Sequence, residues 1–193
     1  MSDSINVLAL AGSLRRGSFN AAALRACQEL APEGMTIDIF DGLADLPHYD
    51  DDLRAAGVPA HVEAFRGRVR TADALLIATP EYNHSVPGAL KNAIDWASRP
   101  PELPLHRKSV ALLGASQGMM GTVRAQYHLR DIFVFFDATV LNKPEVFIGT
   151  AQNKFDAEGR LTDEPTKAIL RTMLGELLRQ TLRLRALSAI QAQ

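Results

Sequence analysis

A single cysteine, Cys27, stands in 193 residues. That excludes an intramolecular disulfide, and the thiol falls on the apolar side of a helical segment, where packing is its expected role. No apolar run reaches the ~18 residues that a membrane span requires. The opening Met1-Ser2-Asp3-Ser4 lacks the basic and apolar regions of a signal peptide, so the cytoplasm is the expected location. A dominant charge is missing as well: 21 Lys and Arg stand against 22 Asp and Glu, for a net charge of −1. That balance offers no electrostatic footprint for nucleic acid or an anionic membrane. Repeats, low-complexity tracts and composition breaks are absent, so residues 1–193 read as one domain large enough for a substantial core. There is no nucleophile elbow, no H-E-x-x-H pair and no convincing triad. The run Asp50-Asp51-Asp52 lacks EF-hand spacing and reads as a solvated acidic turn, so no metal is expected.

What is present alternates between apolar strands and amphipathic helices. Residues 5–11 (INVLALA), 72–79 (ADALLIAT) and 109–115 (SVALLGA) are short, almost wholly apolar runs that suit parallel strands buried on both faces. Residues 35–40 (MTIDIF) alternate and are β-rich. A fifth strand lies within 139–149, broken at Pro144. Helices are expected over 20–30, with Leu24, Cys27 and Leu30 on one face, and over 59–71, with Val62, Phe65 and Val69 aligned. A further helix starts near Pro87 with Leu90, Ile94 and Ala97 inward. Another covers 122–136, and a long one runs over 164–188 with Leu170, Met173, Leu174 and Leu177 on its stripe. The segment 41–57 reads as a surface connection with a short turn of helix, and 154–164 as a small hairpin about Glu158-Gly159.

Three loops follow the ends of apolar strands, and each carries polar groups. Ala11-Gly12-Ser13-Leu14-Arg15-Arg16-Gly17-Ser18-Phe19-Asn20 leads from a strand into a helix, with Ser18 placed as N-cap. A helix opening of this kind presents unpaired N–H groups and the positive end of the macrodipole, which suits a phosphate. Ser13, Ser18 and Asn20 add neutral donors, and Arg15 or Arg16 adds a charged fork. The same spelling would also serve as a plain Gly/Ser connection. It is not a Walker A loop, because Ser18-Phe19 stands where Lys-Ser/Thr is needed. Nor is it a dinucleotide fingerprint, because Leu14 occupies the second glycine's place. The second loop, Pro80-Glu81-Tyr82-Asn83-His84-Ser85-Val86-Pro87, is dense in hydrogen-bonding groups. The third is Ser116-Gln117-Gly118-Met119-Met120-Gly121.

Alternating strands and helices without barrel symmetry argue for an α/β protein, an open parallel sheet with helices on both faces. In the flavodoxin-like order 2-1-3-4-5 the first and third strands are neighbours where the winding reverses, so the first two loops flank one crevice and the third borders it. One phosphorylated planar ligand would touch all three.

The first loop, together with Pro80-Glu81-Tyr82-Asn83-His84-Ser85-Val86-Pro87-Gly88-Ala89-Leu90-Lys91-Asn92-Ala93-Ile94-Asp95-Trp96, resembles the NADPH-dependent FMN reductase family. The nearest likeness is to its chromate/quinone reductase and azoreductase-like members, and it extends through residues 114–130. The resemblance implies a flavodoxin-like fold that holds FMN noncovalently. By the same analogy Ser13, Arg15, Ser18 and Asn20 hold the phosphate, while Pro80, Glu81, Tyr82 and Asn83 lie along the flavin ring and ribityl chain. Ser116 and Gly118 close the far side, Arg16 carries a weaker assignment, and His84 lines the entrance. Members of the family are typically homodimers or homotetramers, which makes Tyr127, Arg130 and Glu145 candidate subunit contacts. The implied activity is hydride transfer from NADPH or NADH through FMN to a quinone, chromate, an azo compound or free flavin. The alternative is a flavodoxin-like electron carrier or an FMN-binding sensor without turnover.

Overall fold

Ile5–Ala11 forms the first strand, β1, and Met35–Phe40 pairs with it in parallel as β2. The computed structural model describes residues 4–191; Met1-Ser2-Asp3, at which the signal-peptide expectation is directed, lies outside them. On its other edge β1 pairs with β3 (Ala74–Ala78), and β3 with β4 (Ser109–Ala115), all in parallel. The order is β2-β1-β3-β4-β5, with β5 at Thr139–Val140. This is the flavodoxin-like order expected, with the reversal between β1 and β3.

The fifth strand is split, as Pro144 suggested. β5 pairs at Val110↔Val140, and a separate β6 (Val146–Ile148) rejoins β4 at Leu113↔Val146. The chain therefore advances six residues (140 to 146) while β4 advances three (110 to 113). Proline has no N–H to give to a ladder, which accounts for the detour.

The period-2 alternation of the strands sorts their side chains into two cores. Ile5, Val7 and Ala9 of β1, with Ala111 and Leu113 of β4, face α1 (Phe19–Glu29) and the long α6 (Glu164–Gln191). Leu8, Leu10, Val110 and Leu112 face the opposite layer. That layer holds α3 (Ala60–Thr71), α4 (Gly88–Ala97) and α5 (Val123–Val134). The expected stripes are the buried ones: Val62, Phe65 and Val69; Leu90, Ile94 and Ala97; Leu170, Met173, Leu174 and Leu177. Of the aromatic groups near α5, Phe133 and Phe136 belong to the core, whereas Tyr127 and Phe135 are exposed.

Elsewhere the connections resolve into short pieces. Within 41–57 lie a 3-10 turn, Gly42–Asp45, and a short α2, Asp51–Ala56. The three aspartates have local work: Asp50 caps α2 by accepting from the N–H groups of Asp52 and Leu53, and Asp51 pairs with Arg54 at 2.7 Å. Among the described residues no cluster of metal-ligating side chains occurs. No described helix is long and apolar enough to cross a membrane. The small hairpin forms through a Phe155↔Leu161 bridge, with Gly159 at φ +77 supplying the left-handed turn.

Two predictions follow from the packing. Burial pushes the Cys27 thiol up to about 12, so native protein should be inert to thiol reagents at pH 8 and react only on unfolding, as a mass-shift assay would show. A Cβ at Gly114 would lie 1.8 Å from Thr122 Oγ1 and 2.4 Å from the Thr79 carbonyl oxygen. Gly114→Ala should therefore cost about 1–3 kcal/mol or more, read from urea denaturation.

Candidate functional site

Because the strands are parallel, β1, β3 and β4 all end on the same edge, and the three loops meet there. Between them lies a cavity of about 310 Å³ lined by residues of all three: Ser13, Arg15 and Ser18 from the first loop, Pro80 and Tyr82 from the second, Ser116 and Gln117 from the third. That volume falls at the lower end of small-molecule sites, which run from roughly 300 to 1,000 Å³. Asn20, Glu81, Phe19 and Ala115 complete the lining.

The first loop ends at Ser18, which is still extended (φ −71, ψ 120) and caps α1, its hydroxyl accepting from the Ala21 N–H at 3.2 Å. The N–H groups of Phe19 and Asn20 take no acceptor among the described residues. The first turn of α1 has no acidic side chain to offset its positive end. Arg15 lines the same space, forms no ion pair among the described residues, and rests its guanidinium 5.9 Å from the Phe19 ring centre. Unpaired N–H groups, a helix N-terminus and an uncommitted arginine are the donor set a phosphate dianion requires. Arg16 is exposed and lies outside the lining.

Asn20 is buried, and its amide is engaged at both ends: Nδ2 donates to the Ala115 carbonyl at 3.0 Å and Oδ1 accepts from the Ala115 N–H at 2.9 Å. Its geometric contribution is thus a joint between the start of α1 and the end of β4. The third loop is braced in turn by β6. Ser116 N–H donates to the Ile148 carbonyl, and the Ala151 N–H donates back to the Ser116 carbonyl, both at 3.0 Å. Ser116 Oγ donates to the Gly121 carbonyl at 2.6 Å, closing the loop on itself. Gly118 lies outside the lining.

The second loop is a two-residue turn. Tyr82 and Ser85 exchange both backbone hydrogen bonds, at 3.1 and 3.0 Å, and Asn83 and His84 between them have φ of +50 and +64. This is the type I′ pattern, in which asparagine is at ease and histidine is not; each such residue carries a cost of about 1–3 kcal/mol where it is strained. Asn83 sits at the exposed tip and outside the cavity lining, so the place along the ring anticipated for it is not supported by the lining. Tyr82 reaches across the cavity instead, its hydroxyl donating to Ser13 Oγ at 3.3 Å.

Glu81 is the residue whose role sequence reasoning missed. Its carboxylate accepts from the Arg124 N–H at 2.9 Å, the Ala125 N–H at 3.3 Å and the Arg124 guanidinium at 2.9 Å. With 10% of its side chain exposed, it serves as an N-terminal cap for α5. Burial pushes its pKa up, but the hydrogen bonds from Arg124 and the two backbone N–H groups outweigh it and hold the carboxyl below its ordinary 4.5. Nothing in the sequence marks this, since Glu81 and Arg124 are 43 residues apart. Phe19 and Ala115 in the lining were likewise not anticipated; strand ends and the residue after an N-cap are the signal that would have found them. Tyr127 donates to Glu145 at 3.0 Å, and Arg130 holds Asn142 and the Leu141 carbonyl.

Residues 5–153 match the family model described as NADPH-dependent FMN reductase. The chain belongs to that family. It is 55% identical over 185 residues to an NAD(P)H-dependent FMN reductase of Pseudomonas aeruginosa, covering 96% of this chain and all of the other. It is 49% identical over 168 residues to a quinone reductase of Escherichia coli, covering 86% of this chain and 89% of that one. Among solved structures, the FerB flavoenzyme NAD(P)H:(acceptor) oxidoreductase of Paracoccus denitrificans matches with a TM-score of 0.85 at 34% identity, covering 93% of this chain and 98% of the other. The protein is thus an oxidoreductase of the FMN reductase family, whose reactants are FMN and a nicotinamide donor.

The Glu81 environment sets a pH dependence. A carboxylate with a depressed folded pKa contributes stability that is full above the ordinary value and is lost as pH falls through the folded one. Glu81→Gln should accordingly be destabilising at pH 7, and the gap to the unmodified protein should close below about pH 4, measured by urea midpoints across pH.

Proposed function

We propose that the three-loop cavity holds FMN and that the protein uses it to reduce quinones at the expense of NAD(P)H. The observation that carries this is the convergence of unpaired α1 N–H groups and the uncommitted Arg15 at one end of the cavity. Pro80, Glu81 and Tyr82 form the wall at the second loop. Ser13, Arg15, Ser18 and the first turn of α1 take the phosphate; Pro80, Tyr82 and Ser116 border the rest. FMN, when bound, supplies the redox chemistry, two-electron uptake from NAD(P)H and delivery to an acceptor.

The chain's own task is orientation and charge. No cysteine or histidine lines the cavity, and the Glu81 carboxylate is committed to α5. Binding, not proton transfer by a side chain, is what these residues provide. Donors directed at the phosphate hold one end of the ligand, and at the second loop the Glu81 N–H, which takes no acceptor among the described residues, is the backbone donor available to the developing negative charge of a reduced ring.

Quinones are the acceptor class supported by the quinone reductase relative. Chromate, azo compounds and free flavin are further acceptors for the same assay. A homodimer or homotetramer working in the cytoplasm completes the reading. The oligomer is supported by Tyr127 of α5 and Phe135 at its end, both large and exposed.

The test is a visible spectrum of the purified protein followed by anaerobic additions. Yellow protein bleached by NADPH or NADH and reoxidised by a quinone is the expected result, and the faster donor shows the preference. Bound flavin that neither nucleotide bleaches would favour an electron carrier or sensor. Arg15→Ala should lower FMN affinity about tenfold or more while leaving the unfolding midpoint of the flavin-free protein unchanged; full flavin retention in that variant would overturn the phosphate assignment.

A further inference from the structure

The turn at Tyr82 to Ser85 is tethered on both sides to one helix. Before the turn, Glu81 accepts three hydrogen bonds at the N-terminus of α5, two from backbone N–H groups and one from the Arg124 guanidinium. After the turn, Ser85 Oγ lies 2.9 Å from His128 Nδ1. Arg124 and His128 are four residues apart and so share a face of α5. Between the tethers sit Asn83 and His84, both at positive φ without being glycine. A backbone of that shape persists only where its surroundings hold it. Tyr82, at the inner edge of the same turn, spans the cavity to Ser13, so the position of the turn sets the distance between the cavity's walls.

We propose that Glu81 is a positioning residue: its carboxylate, seated on the start of α5, fixes the second loop at the spacing that accepts the flavin ring. The inference rests on the flavin reading and deepens it. It also assigns the charged end of the side chain to the helix and leaves only the backbone of Glu81 to the ligand. Arg124 assists from outside, being far more exposed than its partner, at 46% against 10% of the side chain. The two backbone N–H groups therefore form the inner part of the seat.

The experiment compares flavins with and without a phosphate on the full chain freed of bound flavin. Riboflavin shares the ring and ribityl chain of FMN, so a residue that sets the ring's wall acts on both ligands, whereas a phosphate residue acts on FMN alone. Fluorescence titration should show Glu81→Ala weakening riboflavin and FMN by the same factor, about tenfold for a lost charge-assisted bond. Arg15→Ala should weaken FMN only. Glu81→Gln, whose single uncharged oxygen can take the place of Oε2 before both backbone N–H groups but leaves the guanidinium facing an amide NH2, should fall between Glu81→Ala and the unmodified protein, and Arg124→Ala should fall closer to the latter. These two variants carry the test should Glu81→Ala fail to fold.

A second readout needs no flavin. Amide exchange at Tyr82 and Ser85 should quicken in Glu81→Gln while the amides of β1 and β4 keep their protection. Unchanged affinities together with unchanged exchange would overturn the proposal, as would a loss confined to FMN, which would place Glu81 at the phosphate end. If the unmodified chain binds neither flavin, the flavin reading falls; quickened exchange in that case still supports Glu81 as the anchor of the turn, and unchanged exchange overturns both.

Discussion

Parallel pairing obliges each connection to leave the sheet at the same edge, and in the order β2-β1-β3-β4-β5 it sets the ends of β1, β3 and β4 side by side. At that edge the chain turns into helices, whose opening N–H groups lack partners of their own. Three of the structure's specific features answer this one circumstance. Ser18 closes part of the opening of α1, Glu81 closes that of α5, and the N–H groups of Phe19 and Asn20 keep no acceptor among the described residues. Where a cap is supplied the helix end becomes scaffold, and where it is withheld its donors stay open to the cavity.

The loops are held to one another as much as to the sheet. Asn20 joins the first to the third through both backbone groups of Ala115, and Tyr82 joins the second to the first through Ser13. Glu81 and Ser85 join the second to α5, and β6 supports the third through Ile148. A cavity framed in this way is shaped before a ligand arrives, so less ordering of the protein is charged against affinity.

Much of this was legible in the sequence because burial and capping are local signals. Short, almost wholly apolar runs marked β1, β3 and β4, helical stripes marked α3, α4 and α6, and Ser18 announced the start of α1. Pro144 even marked the break in the fifth strand. The ten residues expected around the ligand were largely brought together, since strand ends carry their loops to one edge. What was not legible was orientation. Whether Glu81 turns inward or toward a helix 43 residues away depends on packing between segments that no local pattern encodes. The same holds for Asn20, whose amide faces a strand rather than open space, and for Asn83, which the turn geometry carries to an exposed tip.

The split of the fifth strand has its own consequence. After the Leu141 N–H donates to the Val110 carbonyl, residues 142–145 lie outside the ladder, between two segments that each pair with β4. β6 takes its register from β4 directly and not from β5, so a change of length in these four residues need not shift β6 or the third loop it supports. The sheet's most irregular strand is, for that reason, the place where the fold can vary in length at the least expense to its binding edge.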